Sequence, residues 1–344
     1  MIAPFTFALP PELAAKEPPE RRGLARDGVR LLVIDRRTHR VEHTRFTRIG
    51  EHLRAGDLLV FNASRTLPAA LSGLVADGGP AVEVRLAERL PDDSWLALLV
   101  RGSGEPRAGL EIEFGPGLSA VVLNRDRHIP RLWRVRFSAT GPGLVDLLHR
   151  LGRPVRYEYV ERPWALDEYQ TVFAREPGSA EMPSAGRAFT WRILFDLKKR
   201  GIETAEVVLH TGLSSYLDDE LDASHPASEE PFRVSAEAAD AVNRARAAGR
   251  RVVAVGTTVV RALESAATWH GRVRAVRGYT RLRVAAGHHL KVVDGLLTGL
   301  HEPEASHLDL LTAFLQAGVV RAAYEDAVRR KYLWHEFGDL NLIV

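Results

Sequence analysis

Residues Arg251 to Ala267 (RVVAVGTTVVRALESAA) set a polar turn between two apolar runs. Val252 to Val255 reads as a buried strand. Gly256 breaks it, and Thr257 or Thr258 is suited to cap the helix that follows. A strand feeding a helix through Gly-Thr-Thr leaves backbone N–H groups free at the helix start, where anionic or polar ligand groups bind well. One turn on, Arg261 and Glu264 share a face at i, i+3. An ordinary βα unit with a surface ion pair has the same pattern, so neighbouring polar clusters decide its meaning.

Four such clusters lie in the C-terminal half. Val207 to Gly212 (VVLHTG) puts His210 at the end of a strand, where open α/β sheets bind ligands. His225 to Glu230 (HPASEE) puts a histidine and a carboxylate in a loop. Leu290 to Asp294 (LKVVD) carries Lys291 and Asp294, and Leu297 to Pro303 (LTGLHEP) carries His301. Phe337-Gly338-Asp339 lies near the C-terminus. Each alone also fits a structural role: a hydrogen-bonded histidine at a strand end, or a Lys291–Asp294 surface pair.

Several chemistries are disfavoured. The chain has no cysteine, which removes disulfides, a thiolate nucleophile and Cys-ligated zinc. His210, His225 and His301 show no HxxxH or HxH spacing, and the rings of His288 and His289 would point apart on a strand, so no metal is expected. Ser184, Ser214 and Ser215 lack a nucleophile-elbow context, and neither a P-loop nor GxGxxG is present. Arg272, Arg274, Arg281 and Arg283 alternate around Gly278-Tyr279. On two paired strands they would share a face able to track a phosphate backbone, and a solvated sheet face explains them equally well.

The elements that must hold these residues follow from composition and texture. With 344 residues, 45% hydrophobic, the chain has material for one large domain or two ordinary ones. A net charge of +3 and a pI near 9.3 permit phosphate contact without demanding it. The N-terminus has no basic segment leading an apolar core, and no run is long enough to span a bilayer. A soluble cytoplasmic protein is therefore the expectation. Leu31 to Asp35 and the segment from Val41 predict a hairpin, and Asp57 to Asn62 a buried strand. From about Arg65 to Phe137 the texture changes to short alternating strands parted by Gly and Pro turns: 82–89, 95–100, 110–114, 120–123 and 132–137. Helices return at Gly143 to Arg150. Thr190 and Ser235 are predicted caps, Gly201 and Gly249 predicted stops, and 308–316 and 322–330 the last helices. The fold class predicted is α/β in two domains: a barrel-like α/β domain (1–64 and 150–344) interrupted by a small antiparallel β-barrel (65–149).

In order, these segments resemble the S-adenosylmethionine:tRNA ribosyltransferase-isomerase family of queuosine biosynthesis. The resemblance runs through LPPELAAKEPPERR (9–22), LLVFNASRTLPAAL (58–71), YQTVFA (169–174), PSAGRAFT (183–190), VLHTG (208–212), AVGTTVVRALESAA (254–267), LKVVDGLLTGLHEP (290–303) and FGDLNLI (337–343). It implies an α/β domain interrupted by a small β-barrel. It also implies transfer and isomerisation of the ribosyl part of S-adenosylmethionine onto a 7-aminomethyl-7-deazaguanine base at the tRNA wobble position, giving epoxyqueuosine with release of adenine and methionine. A sulfonium acidifies the neighbouring C5′ protons, so this chemistry needs a positioned base, a donor for the departing adenine and a dry pocket, and no metal. S-adenosylmethionine is then the co-substrate and tRNA the partner, with no membrane involved. His210 is the first candidate for proton transfer, followed by Asp294, with His225, Glu230 and His301 beside them. Gly256, Thr257, Thr258, Arg261, Glu264 and Lys291 are the candidate anchors for S-adenosylmethionine.

The chain departs from the family pattern at polar positions. Arg187-Ala188 stand where the family has Leu-His, Leu217 replaces an arginine, Ser228 a second histidine, and Ala63 the aspartate after Asn62. Two alternatives follow. One is a divergent paralogue using S-adenosylmethionine on a nucleoside or other small acceptor, its acceptor wall reshaped by Arg187, Ala188, Leu217, Ser228 and Glu302. The other is a non-catalytic RNA- or ligand-binding protein.

Overall fold

Asp57 to Asn62 contains the strand on which the molecule is centred. In the computed structural model, which describes residues 6–76, 78–100, 106–218, 222, 229–303 and 305–344, Leu58–Asn62 (β3) is buried throughout. It lies in a nine-stranded sheet with β1 (Arg30–Ile34), β2 (Val41–Arg45), β12 (Glu203–Leu209), β13 (Glu230–Val234), β14 (Val252–Val255), β15 (Val276–Thr280), β16 (Gly295–Gly299) and β17 (Leu340–Ile343). The order is β15-β13-β12-β3-β14-β16-β17-β1-β2. Neighbours among β12, β3, β14 and β16 are parallel. All residues of β3, β14 and β16 are buried, as continuous apolar runs covered on both faces must be.

Parallel direction has one consequence for function. Asn62, Leu209, Val255 and Gly299 all end their strands at the same edge of the sheet, where ligands of open α/β sheets bind. Helices 191–199, 236–247 and 257–266 follow the predicted punctuation in part. Thr190 accepts a hydrogen bond from Ile193 N and Ser235 from Ala238 N. At the third helix neither threonine caps: Gly256, at φ +99°, is the N-cap and the helix starts at Thr257. The last two helices span Ser306–Leu311 and Ala317–Arg329, each starting earlier than predicted.

The all-β texture forms a closed six-stranded antiparallel barrel of β5 (Ala70–Val75), β6 (Ala81–Arg89), β7 (Trp95–Val100), β8 (Glu111–Gly115), β9 (Leu118–Arg125) and β10 (Leu132–Phe137). Leu71, Val84, Leu98, Ile112, Val122 and Val135 fill it, and Leu144, Leu147 and Leu148 of the following helix join the same core. The chain enters and leaves side by side, because Ala70 and Arg153 exchange backbone hydrogen bonds of 2.9 and 2.8 Å. Gly152 makes this crossing possible, since a Cβ there would stand 2.1 Å from Pro68 O. Leu213 and Tyr216, just beyond His210, pack into the barrel core and tie it to the main sheet. A two-stranded parallel ribbon, β4 (Ser64–Thr66) with β11 (Glu176–Ser179), lies beyond β3.

The arginine stripe is not on two paired strands. Val276–Thr280 runs through Gly278-Tyr279 without turning, because its ladder partner is β13. Arg281 is ion-paired with Glu229, 3.0 Å away, and Arg283 with Asp309, 2.7 Å away. Among the described residues no helix is long and apolar enough to cross a membrane.

Candidate active site

Asn62, at the end of β3, knits the strand ends together. Its Nδ2 donates to Leu209 O (2.8 Å) and Thr258 Oγ1 (3.2 Å), and its Oδ1 accepts from Leu209 N (3.1 Å) and Ser64 N (3.0 Å). Every polar capacity of this buried amide is used, so the end of β12 and the first turn of the helix at Thr257 are locked to one another. Gly256 and Thr257 therefore present an N-terminus with no side-chain cap, whose first N–H groups have no partner within the helix.

His210 follows β12 directly. Its Nδ1 lies 2.7 Å from Ser64 Oγ, which lies 2.6 Å from Ser179 Oγ, and Ser179 Oγ accepts from Thr211 N at 3.0 Å. Gly178 allows the approach, since a Cβ there would stand 2.5 Å from the ring. Burial first, then the charges of Arg233, Arg277 and Arg89, push this imidazole down to about 4. His210 is accordingly neutral at pH 7 with no carboxylate attached.

Next to it stands a group that sequence reasoning did not single out. Glu181 Oε2 accepts from Tyr157 OH (2.9 Å), and its Oε1 from Ser214 N (2.8 Å) and Ser214 Oγ (3.1 Å). Its backbone carbonyl accepts from Thr211 Oγ1 at 2.7 Å. Burial pushes the Glu181 carboxyl up. The Tyr157 ring meets the His335 ring edge-on at 5.1 Å. Beyond lie His301, whose Nε2 is 2.7 Å from Thr298 Oγ1, and Glu336, raised well above the ordinary range by burial and then by Glu181. Burial lowers both His301 and His335. His301 Nδ1, His335 Nδ1 and Glu336 Oε2 are buried with no partner. Ser184, Arg187, Gly299, His335 and Glu336 line one narrow pocket here. The arrangement unites neutral imidazoles with carboxyls held toward their protonated form, the equipment of general acid–base chemistry.

The structure sorts the candidates into groups. His210, Gly256, Thr257, Thr258 and His301 share the C-terminal edge of the sheet. His301 stands three strands away from His210, roughly 14 Å at ordinary strand spacing. Glu230 joins this edge through Gly212 N, which donates to it at 3.3 Å. Arg261 pairs with Glu230, not with Glu264 as the shared-face spacing suggested, and its Nε donates to Leu282 O at 2.9 Å. His225 lies outside the described residues.

Three candidates lie elsewhere. Glu264, 4% exposed, accepts from the backbone N–H groups of Lys291, Val292 and Val293 at 2.9, 3.0 and 3.1 Å. Asp294 accepts from Val252 N at 2.9 Å. These contacts stand where β14 and β16 begin, a full strand length from their ends, roughly 16 Å for five residues. As anchor and base for a ligand at the other edge, Glu264, Lys291 and Asp294 are misplaced by the strand itself. Arg187 likewise is no open acceptor wall: its side chain, 4% exposed, bridges Glu20 at 3.1 Å and Glu168 at 2.9 Å. Asp339 binds Arg30 N and Leu333 N at 2.7 and 2.8 Å.

The missed groups left faint signals. Tyr157, Glu181, His335 and Glu336 sit in irregular segments without periodicity. Only their concentration of polar residues between apolar runs could have marked them.

Comparison with known proteins bears on this arrangement. The profile of the family described as "Queuosine biosynthesis protein" matches residues 2–343. The S-adenosylmethionine:tRNA ribosyltransferase-isomerase of Carboxydothermus hydrogenoformans is 39% identical over 343 residues, 99% of this chain and 98% of that protein. The protein of the same name from Thermotoga maritima is 37% identical over 345 residues, 100% of this chain and 99% of its own. A crystal structure of S-adenosylmethionine tRNA ribosyltransferase from Thermotoga maritima superimposes with a TM-score of 0.57 at 33% identity, covering 99% of this chain and 100% of that one. Matched over nearly its whole length, the chain belongs to the queuosine biosynthesis protein family.

Proposed function

We propose that this protein is an S-adenosylmethionine-dependent ribosyltransferase-isomerase. It moves and rearranges the ribosyl part of S-adenosylmethionine onto the aminomethyl group of a 7-deazaguanine base in tRNA, in the cytoplasm, releasing adenine and methionine. The observation that carries this reading is the convergence, at one edge of the sheet, of the neutral His210 with the uncapped helix start at Gly256-Thr257, in a chain matching the family throughout.

The residues fit such a substrate. The histidines at this edge are held neutral and so add no positive charge beside a sulfonium. His210 is placed to take the acidified C5′ proton, because a neutral imidazole with a free second nitrogen can accept one. Glu336, held well toward the protonated form by burial and with Oε2 unpartnered, is the group able to donate to the departing adenine. The free N–H groups at Thr257 and Thr258 suit a carboxylate or ribose oxygen. Glu230 holds Arg261 and Gly212 in place.

The test is product analysis. Purified protein with S-adenosylmethionine and a tRNA carrying the aminomethyl-deazaguanine base is expected to release adenine and methionine together and to add a ribosyl-derived mass to the tRNA. Consumption of S-adenosylmethionine only with a free nucleoside, or no consumption, overturns the reading.

A further inference from the structure

The face of the sheet edge that carries His210 also carries a row of cations that the reaction does not use. Val208 of β12 pairs with Arg233 of β13, and Arg233 pairs with Arg277 of β15. One step along, His210 N donates to Pro231 O at 3.0 Å, and Pro231 stands opposite Tyr279. Val207, Leu209, Phe232 and Val234 face the helices in the main core. By strand alternation, His210, Arg233, Arg277 and Tyr279 share the other face.

Two features of this row suit an anionic partner. Arginines directly opposite one another on paired strands repel. Arg233 is relieved by Glu176, whereas Arg277 is exposed with no hydrogen bond or ion pair among the described residues. Tyr279 is an exposed aromatic, 40% accessible, in the field of Arg277 and of Arg89 from the barrel strand β6. Arg89 itself is paired with Asp93 at 2.6 Å. Carboxylates are present too: Glu229, paired with Arg281, and Glu88, whose carboxyl is pushed up to about 8 by burial and then by Glu230. Glu88 therefore puts little negative charge into this cleft at pH 7.

We infer that the Arg233–Arg277 row with Tyr279 is a docking surface for RNA, the arginines taking backbone phosphates and the tyrosine stacking an unpaired base beside the nucleotide at His210. Arginine and an aromatic side by side are how single-stranded nucleic acid is held without sequence readout. An unpaired loop is where an RNA base is accessible to chemistry. This rests on the proposed reading that the acceptor is tRNA, and it assigns residues to the contact.

The experiment uses the full chain with Arg277→Gln, Arg277→Lys and Tyr279→Leu, and Arg321→Gln on a remote helix as a charge control. tRNA affinity is measured by filter binding across a salt series, with KM and kcat in parallel. Arg277→Gln is expected to raise KM for tRNA about tenfold and to flatten the log–log salt slope by about 0.7 to 1, the share of one phosphate. Arg277→Lys keeps most of the slope. Tyr279→Leu is expected to lose about tenfold in affinity with the slope unchanged. KM for S-adenosylmethionine stays the same in all variants. Wild-type values for both Arg277→Gln and Tyr279→Leu, in an enzyme that modifies tRNA, overturn the surface and leave the function standing. A wild-type protein that neither binds nor modifies tRNA overturns both. A change in self-association by light scattering, with tRNA affinity intact, assigns the face to a second copy of the chain and also overturns the proposal.

Discussion

His210 Nδ1 is hydrogen-bonded to Ser64 Oγ at 2.7 Å. That contact ties the histidine after β12 to the first residue of β4, and Ser179 continues it at 2.6 Å. The serine pair fixes the ring plane, and a hydroxyl can either accept from Nδ1 or donate to it. The proposed base role requires the tautomer in which Nδ1–H donates to Ser64, which leaves Nε2 free to accept a proton.

Ser64→Ala is therefore expected to lower kcat about 10- to 100-fold, the worth of one buried hydrogen bond to a working group. KM for S-adenosylmethionine is expected to change little, and Ser64→Thr to restore the rate. Steady-state kinetics on the three proteins checks this, and an unaltered kcat in Ser64→Ala removes the relay from the mechanism.

The position of His210 near 4 predicts an unusual pH profile. A base must be unprotonated to act, so its limb rises between about pH 3 and 5 and is flat through 6.5. An inflection at 6.5 assigned to His210 by its loss in His210→Gln contradicts the burial argument. The same shift predicts a stability effect. The folded value lies below the unfolded 6.5, so the unfolded chain binds a proton first as pH falls. The stabilisation is complete above pH 6.5 and is lost as pH drops toward 4. Urea midpoints of wild type and His210→Gln should diverge over that window and run parallel above it.

Glu264 is predicted to hold the fold together. Its carboxylate satisfies three backbone N–H groups in a buried site, and Glu264→Ala leaves them unpaired, at about 3 to 5 kcal/mol. Denaturant unfolding should show that loss, and Asp294→Asn should leave the pH profile of kcat untouched. If Glu264→Ala keeps its stability but loses affinity for S-adenosylmethionine in calorimetry, the anchor role expected from the family resemblance is restored.

Arg187 is predicted to act in the same structural way. It lies between Glu20 and Glu168 with its guanidinium 5.1 Å from the Phe337 ring centre. Arg187→Ala strands two carboxylates and should cost about 3 kcal/mol. A higher KM for the acceptor without loss of stability would sink this assignment.

Much of this protein was legible in one dimension. Apolar runs with one period or another name the buried strands β3 and β14 and five of the six barrel strands, because burial on two faces or one writes itself into sequence. Thr190 and Ser235 announce their helices because a cap is a local event. Of the candidate site, the sequence offered only the strand-end members His210, Gly256, Thr257 and His301, since ligand edges follow strand direction. Spacing alone misled at Arg261 and Glu264. Three residues apart on a helix, they share a face, yet each finds a better partner across the fold.

The sequence by itself determined the α/β frame with an inserted barrel, and through its ordered segments the family. Only the tertiary structure decided which polar residues work together. It sent Asp294, Lys291 and Glu264 to one end of the strands and His210 to the other, and it brought Glu181, Tyr157, His335 and Glu336 in from loops without pattern. The reason is physical. Periodicity records whether a side chain is buried, whereas the partner of a buried polar group is set by strand register and chain crossing, which join residues more than a hundred positions apart.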